Sequence, residues 1–88
     1  MFHILVVDDD KNIRYVIKEI LETAQYTVST ATNGEEAFDV LGKEHVDLVI
    51  VDIMMPTMDG YEFTKELRGF DKDIPIFTQD REYIERFV

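Results

Sequence analysis

The feature that most constrains this chain is a strict alternation of short apolar runs with stripes at helical spacing. Residues 2–7 form a continuous, β-branched apolar run interrupted only by His3, short enough for a buried strand. Ile13, Val16, Ile17, Ile20, Leu21 and Ala24 then recur at i, i+3/i+4 and i+7, one face of an amphipathic helix. Tyr26, Val28 and Thr30 mark a brief second strand. Asn33 followed by Glu35 and Glu36 reads as a helix start, with Ala37, Val40 and Leu41 as the buried stripe and Gly42 suiting its end. Residues 46–51 repeat the strand signal, and continuous rather than alternating apolar character predicts a parallel strand covered on both faces. After a loop with Pro56 and Gly60, Tyr61, Thr64 and Leu67 outline a third helix ending near Gly69. Residues 74–77 predict a fourth strand, where Pro75 suits an edge or a strand start. Tyr83, Ile84, Phe87 and Val88 give a last helical stripe. The pattern βαβαβαβα implies an α/β fold: an open parallel sheet with right-handed crossovers and helices on both faces.

At 88 residues the chain has room for one small domain. Nine Lys and Arg against 19 Asp and Glu leave a net charge of −10, which argues against a nucleic-acid surface or an anionic membrane as partner. No cysteine is present, so neither disulfides nor thiolate metal sites are expected, and a reducing cytoplasm is the natural compartment. The start lacks a basic region and Asp8 cuts the first apolar run short, so no signal peptide is expected. No run approaches the length of a membrane span.

In open parallel sheets, ligands bind at the carboxyl ends of the strands beside the point where strand order reverses. That rule singles out Asp8, Asp9 and Asp10 after the first strand and Asp52 after the third. Two like charges ~5 Å apart at an effective dielectric near 20 repel by roughly 3 kcal/mol. Such a cluster raises a pKa, stays heavily solvated or holds a cation. Hard oxygen donors without neighbouring His or Cys point to Mg²⁺. The alternative for any one strand end is a helix N-cap, which suits Asp9 or Asp10 ahead of the first helix.

The run Ile4-Leu-Val-Val-Asp8-Asp9-Asp10 together with Asp52-Ile-Met-Met-Pro56-Thr-Met-Asp-Gly60 resembles the receiver domain of two-component response regulators. The resemblance covers roughly residues 2 to 77. It implies a flavodoxin-like receiver fold and a phosphoacceptor signalling module in which Asp52 takes a phosphoryl group from a histidine kinase. It further implies that Asp9, Asp52 and the backbone carbonyl of Met54 ligate Mg²⁺ (or Mn²⁺), that Asp8 acts through the metal's water, and that Pro56 and Gly60 shape the loop. Such a domain is not an enzyme in the ordinary sense; at most it assists its own phosphorylation and dephosphorylation.

The sequence also departs from that pattern. The family continues with a fifth strand carrying a Lys and a last helix, whereas the final Lys here is Lys72, ahead of the fourth strand. The expected domain is therefore an incomplete receiver over 1–77, lacking the last strand–helix unit, with a non-family, helical segment over 78–88. Thr78 stands three residues after Pro75, two short of the family's usual spacing for its switch Thr, and is the candidate switch residue. A truncated sheet edge and the stripe from Tyr83 to Val88 predict a homodimer closed by two-fold symmetry. Two other readings stay open. One is a metal-binding or self-associating scaffold without efficient phosphotransfer. The other is a haloacid-dehalogenase-type phosphatase, whose Asp-x-Asp opening Asp8-Asp9-Asp10 satisfies, although Lys11-Asn12 and the Asp52–Gly60 motif do not fit it. His3, His45 and the methionines around the loop are read as packing or surface residues, and Tyr83 as part of the helical stripe.

Overall fold

The computed structural model describes residues 1–52 and 60–79. The chain runs β1 (His3–Val7), α1 (Lys11–Thr23), β2 (Thr27–Ala31), α2 (Gly34–Lys43), β3 (Leu48–Asp52), α3 (Gly60–Phe70) and β4 (Ile76–Gln79). The four strands form one parallel sheet in the order β2-β1-β3-β4. Strand order thus reverses at β1, so right-handed crossovers place α1 on one face and α2 and α3 on the other.

Strand register sorts the side chains between those faces. Leu5, Val7, Val49 and Val51 point to the α2/α3 side, where they pack with Ala37, Phe63 and Leu67 in the main core. Phe38 meets Phe63 at 5.2 Å between ring centroids and Phe70 at 6.1 Å, tying α2 to α3. The α1 side is thinner. Ile4 and Val6 are buried there, but α1 has no fully buried residue, and Val16 and Ile20 are 53% and 62% exposed. On the same face Phe77 of β4, in register with Ile50, is 62% exposed.

Local chemistry explains the helix ends. Asp10 caps α1, its Oδ1 accepting the N–H groups of Asn12 and Ile13. Asn33 caps α2 by accepting the Glu36 N–H, while Glu36 reaches back to the Thr32 N–H at 2.6 Å. That is a capping box displaced by one residue. At the end of α1 the chain turns through Gln25 at φ 72°, with Tyr26 N–H donating to the Leu21 carbonyl and Gln25 N–H to that of Glu22. This is a Schellman closure with glutamine where glycine is usual.

Several expected boundaries move, and the first strand begins at His3 rather than 2. The third strand begins at Leu48 rather than 46, and the fourth at Ile76 rather than 74. Val46 and Ile74 are buried without joining the ladder, so their apolar character reports burial and not strand pairing. Pro75 precedes β4, where its carbonyl accepts the Val49 N–H and its missing donor costs nothing. Tyr26 lies outside β2 and packs edge-on against Phe2 at 5.7 Å. The third helix includes Gly69 and ends at Phe70. The helix expected from Tyr83 to Val88 lies outside the described residues.

Candidate functional site

β1 and β3 are neighbours, and their carboxyl ends bring three acids together. The Asp8 N–H continues the β1–β2 ladder by donating to the Ala31 carbonyl, so Asp8 is held in line with the strand it follows. Asp52 is the last residue of β3. Asp8, Asp9 and Asp52 each offer a carboxylate oxygen within 4.8 Å of the other two, with Asp8 and Asp52 fully buried and Asp9 half-buried. Three like charges this close, two of them shielded from water, make a strong local demand for positive charge. The donor set is oxygen alone, which fits a hard divalent cation such as Mg²⁺ or Mn²⁺ and not a soft metal.

Asp10 does not join them. Its carboxylate is committed to the α1 N-terminus, and its N–H donates to Asp8 Oδ1 at 2.8 Å. One acidic run thus divides its work: Asp8 and Asp9 face the strand ends, while Asp10 starts the helix. Met54 and Pro56 lie outside the described residues. Gly60 opens α3. Thr78 is exposed within β4 and pairs with Val51, one step before the Asp52–Gln79 pair.

A residue the sequence reading missed stands beside the cluster. Arg14 Nη1 donates to the Asp8 carbonyl at 2.7 Å, pinning the β1–α1 turn. Its charge also helps hold the Glu36 carboxyl below its ordinary range, behind the larger effect of the Thr32 N–H. The available signal was a cation one helical turn past the Asp8–Asp10 run, compatible with many side-chain directions. A separate open groove between α2 and α3 is lined by Glu35, Asp39, Glu62 and Glu66. Its acidic walls repel phosphate, so the groove does not compete as an anion site.

A family model described as the response regulator receiver domain matches residues 4–84, and so runs into the segment after residue 77. A probable transcriptional regulator ycf27 of Cyanidium caldarium is 47% identical over 74 residues, covering 84% of this chain and 29% of that protein. The chain therefore spans about three tenths of the length of that curated relative. Among solved structures, the response regulator TrrA of Thermotoga maritima in complex with Mg²⁺–BeF superposes with a TM-score of 0.84 at 45% identity, over 94% of this chain and 74% of that one. The complex of the histidine kinase ThkA with TrrA gives a TM-score of 0.82 at 46% identity, over 89% of this chain and 67% of that one.

Proposed function

The chain belongs to the response regulator receiver domain family, and from that premise we propose that it is a phosphoacceptor signalling module of a two-component system. The observation that carries this reading is the convergence of Asp8, Asp9 and Asp52 at the ends of two adjacent strands. In the proposed reaction an oxygen of the Asp52 carboxylate attacks the phosphorus of a phosphohistidine on a partner kinase. The phosphorus–nitrogen bond breaks, the imidazole leaves with the electron pair, and Asp52 becomes an acyl phosphate. A divalent cation would be held by Asp9, Asp52 and the Met54 backbone carbonyl, with Asp8 acting through water. When bound it neutralises the carboxylates and the phosphoryl oxygens. Asp52 is the nucleophile, Asp8 and Asp9 organise the cation, and Pro56 and Gly60 shape the loop between β3 and α3. Thr78 is the proposed switch residue, and 1–77 with 78–88 the proposed division of the chain.

Supporting the metal and the partner, the related TrrA was solved once with Mg²⁺–BeF and once with the histidine kinase ThkA. The proposed setting is cytoplasmic, with no nucleic acid or membrane bound by this segment itself. No helix among the described residues is long and apolar enough to cross a membrane. The module is not an enzyme beyond assisting its own phosphorylation and dephosphorylation.

The decisive experiment incubates the chain with Mg²⁺ and a small phosphodonor and weighs the intact protein. One added phosphoryl group in the native chain and none in Asp52→Asn is the expected result. An Asp52→Asn chain that gains the same mass would overturn the assignment.

A second reading keeps the cation site and replaces phosphotransfer with self-association, as a scaffold. The exposed apolar side chains of Val16, Ile20 and Phe77 on the α1 face favour it. In this reading the β4 edge and the terminal stripe form a two-fold homodimer. Light scattering with and without residues 79–88 is the test. A monomer at high micromolar concentration, with an unchanged cooperative melt after the deletion, would remove the dimer.

A further inference from the structure

Between α1 and β2 lies an open pocket of about 260 Å³ lined by Lys11, Asn12, Arg14, Tyr15, Lys18 and Thr30. No acid is among them, although the chain carries 19 Asp and Glu against nine Lys and Arg. Helical spacing gathers the cations. Lys11, Arg14 and Lys18 stand at i, i+3 and i+7, one stripe along α1. Thr30 supplies the opposite wall from β2, one residue before Ala31, whose carbonyl accepts the Asp8 N–H.

Every lining side chain carries a hydrogen-bond donor: two ammonium groups, a guanidinium, an amide and two hydroxyls. The Asp8 carbonyl takes one of the five N–H donors of a guanidinium, at 2.7 Å, and so holds the half-buried Arg14 in place at the pocket wall. Among the described residues, no hydrogen bond or ion pair engages the side chains of Lys11, Tyr15 or Thr30. The neighbouring acids stand outside the pocket. Glu22 reaches Lys18 only at 3.9 Å, with both side chains open to water. Asp10 turns its Oδ1 to the N–H groups of Asn12 and Ile13. Glu36 feels the charge of Arg14 but accepts from the Thr32 N–H.

We propose that this pocket binds a small phosphate dianion, at a site separate from the acceptor carboxylates. A guanidinium meets two oxygens of such an ion at once, and the ammonium and hydroxyl donors on two walls suit the remaining oxygens of a tetrahedron. The net charge of −10 does not oppose this, because charges beyond about 8 Å are largely screened at physiological salt. The ion responds to the three cations beside it. Because Arg14 also holds the Asp8 carbonyl, an ion in the pocket draws on the same guanidinium that fixes the β1–α1 turn.

The test follows backbone ¹H–¹⁵N spectra of the labelled full chain in metal-free buffer, as sodium phosphate replaces sodium chloride at constant pH and ionic strength. Without metal, the clustered carboxylates repel phosphate and leave the pocket as the site observed. Saturable shifts confined to residues 11–18 and the surroundings of Thr30 are expected. Lys11→Gln and Lys18→Gln should each weaken binding several-fold, whereas Lys43→Gln, which removes a cation from the end of α2, should leave it unchanged. Sodium acetate should bind more weakly than phosphate. Shifts that do not saturate, or that spread over every cationic surface, would overturn the proposal. So would equal affinity for acetate, or phosphate binding that survives undiminished when Lys11 and Lys18 are both replaced by Gln.

Discussion

Arg14 reaches back from the first turn of α1 to the main-chain carbonyl of Asp8 at 2.7 Å. It thereby fixes the peptide that joins the two acids following β1. Hydrogen bonds to charged donors contribute about 1.5–3 kcal/mol. Arg14→Ala is expected to destabilise the chain by about that amount and to weaken Mg²⁺ binding several-fold. Calorimetric titration beside a urea melt checks both. An unchanged metal affinity would show that the turn holds its shape without the guanidinium.

The two neighbouring acids Asp9 and Asp10 separate cleanly by experiment. Asp9→Ala should abolish measurable Mg²⁺ binding while leaving the fold intact, because it removes one of three converging carboxylates. Asp10→Ala should do the reverse, leaving metal binding nearly native and costing about 1 kcal/mol of stability through the lost α1 cap. Equal metal affinity in the two variants would remove Asp9 from the site.

Acid should loosen the start of α2. Glu36 and Asp47 are both held below the ordinary carboxylate range, Glu36 chiefly by the Thr32 N–H and Asp47 chiefly by the His3 N–H. The folded chain therefore binds fewer protons at these groups than the unfolded chain does. Their contribution is fully present above the ordinary carboxylate range and is lost as pH falls through that range and below it. Glu36→Gln still accepts from Thr32 but does not titrate. Urea midpoints measured across the acid range should fall less steeply in that variant than in the native chain.

The closure of α1 offers a stabilising change. Gln25 sits at φ 72°, a backbone region in which an L side chain crowds the carbonyl. Gln25→Gly is expected to raise stability by about 0.5–1 kcal/mol, the relief outweighing the added freedom of the unfolded chain. Thermal and urea melts of the two chains side by side would read it. A loss of stability would show that the glutamine side chain supports the turn.

The alternation of apolar runs and helical stripes was enough to read the parallel sheet, because each run must be buried on both faces and each stripe on one. The grouping of Asp8, Asp9 and Asp52 was legible for a related reason: a strand order that reverses at β1 puts the ends of β1 and β3 side by side. The exact extent of the third and fourth strands was not legible. Val46 and Ile74 are as apolar as ladder residues, and hydrophobic pattern does not distinguish a buried approach from a paired strand. Arg14 escaped for another reason. Its role depends on where the side chain points, back from α1 to the Asp8 peptide, which local periodicity does not encode.

The all-parallel pairing also fixes an order of events for a chain emerging from its N-terminus. His3 pairs with Thr27 24 residues later, Ile4 with Leu48 44 later, and Val49 with Ile76 27 later. Among the described residues no strand meets its partner through a short hairpin, so each ladder waits for an entire crossover, and loop-closure entropy slows its formation. β1 is synthesised before its partners, and its β3 side is covered only after the residues up to Leu48–Asp52 have emerged. During that interval an apolar, β-branched strand stands with one edge open, the kind of segment that draws in a second chain. The strand that becomes the best protected element of the finished sheet is thus its most vulnerable one during synthesis.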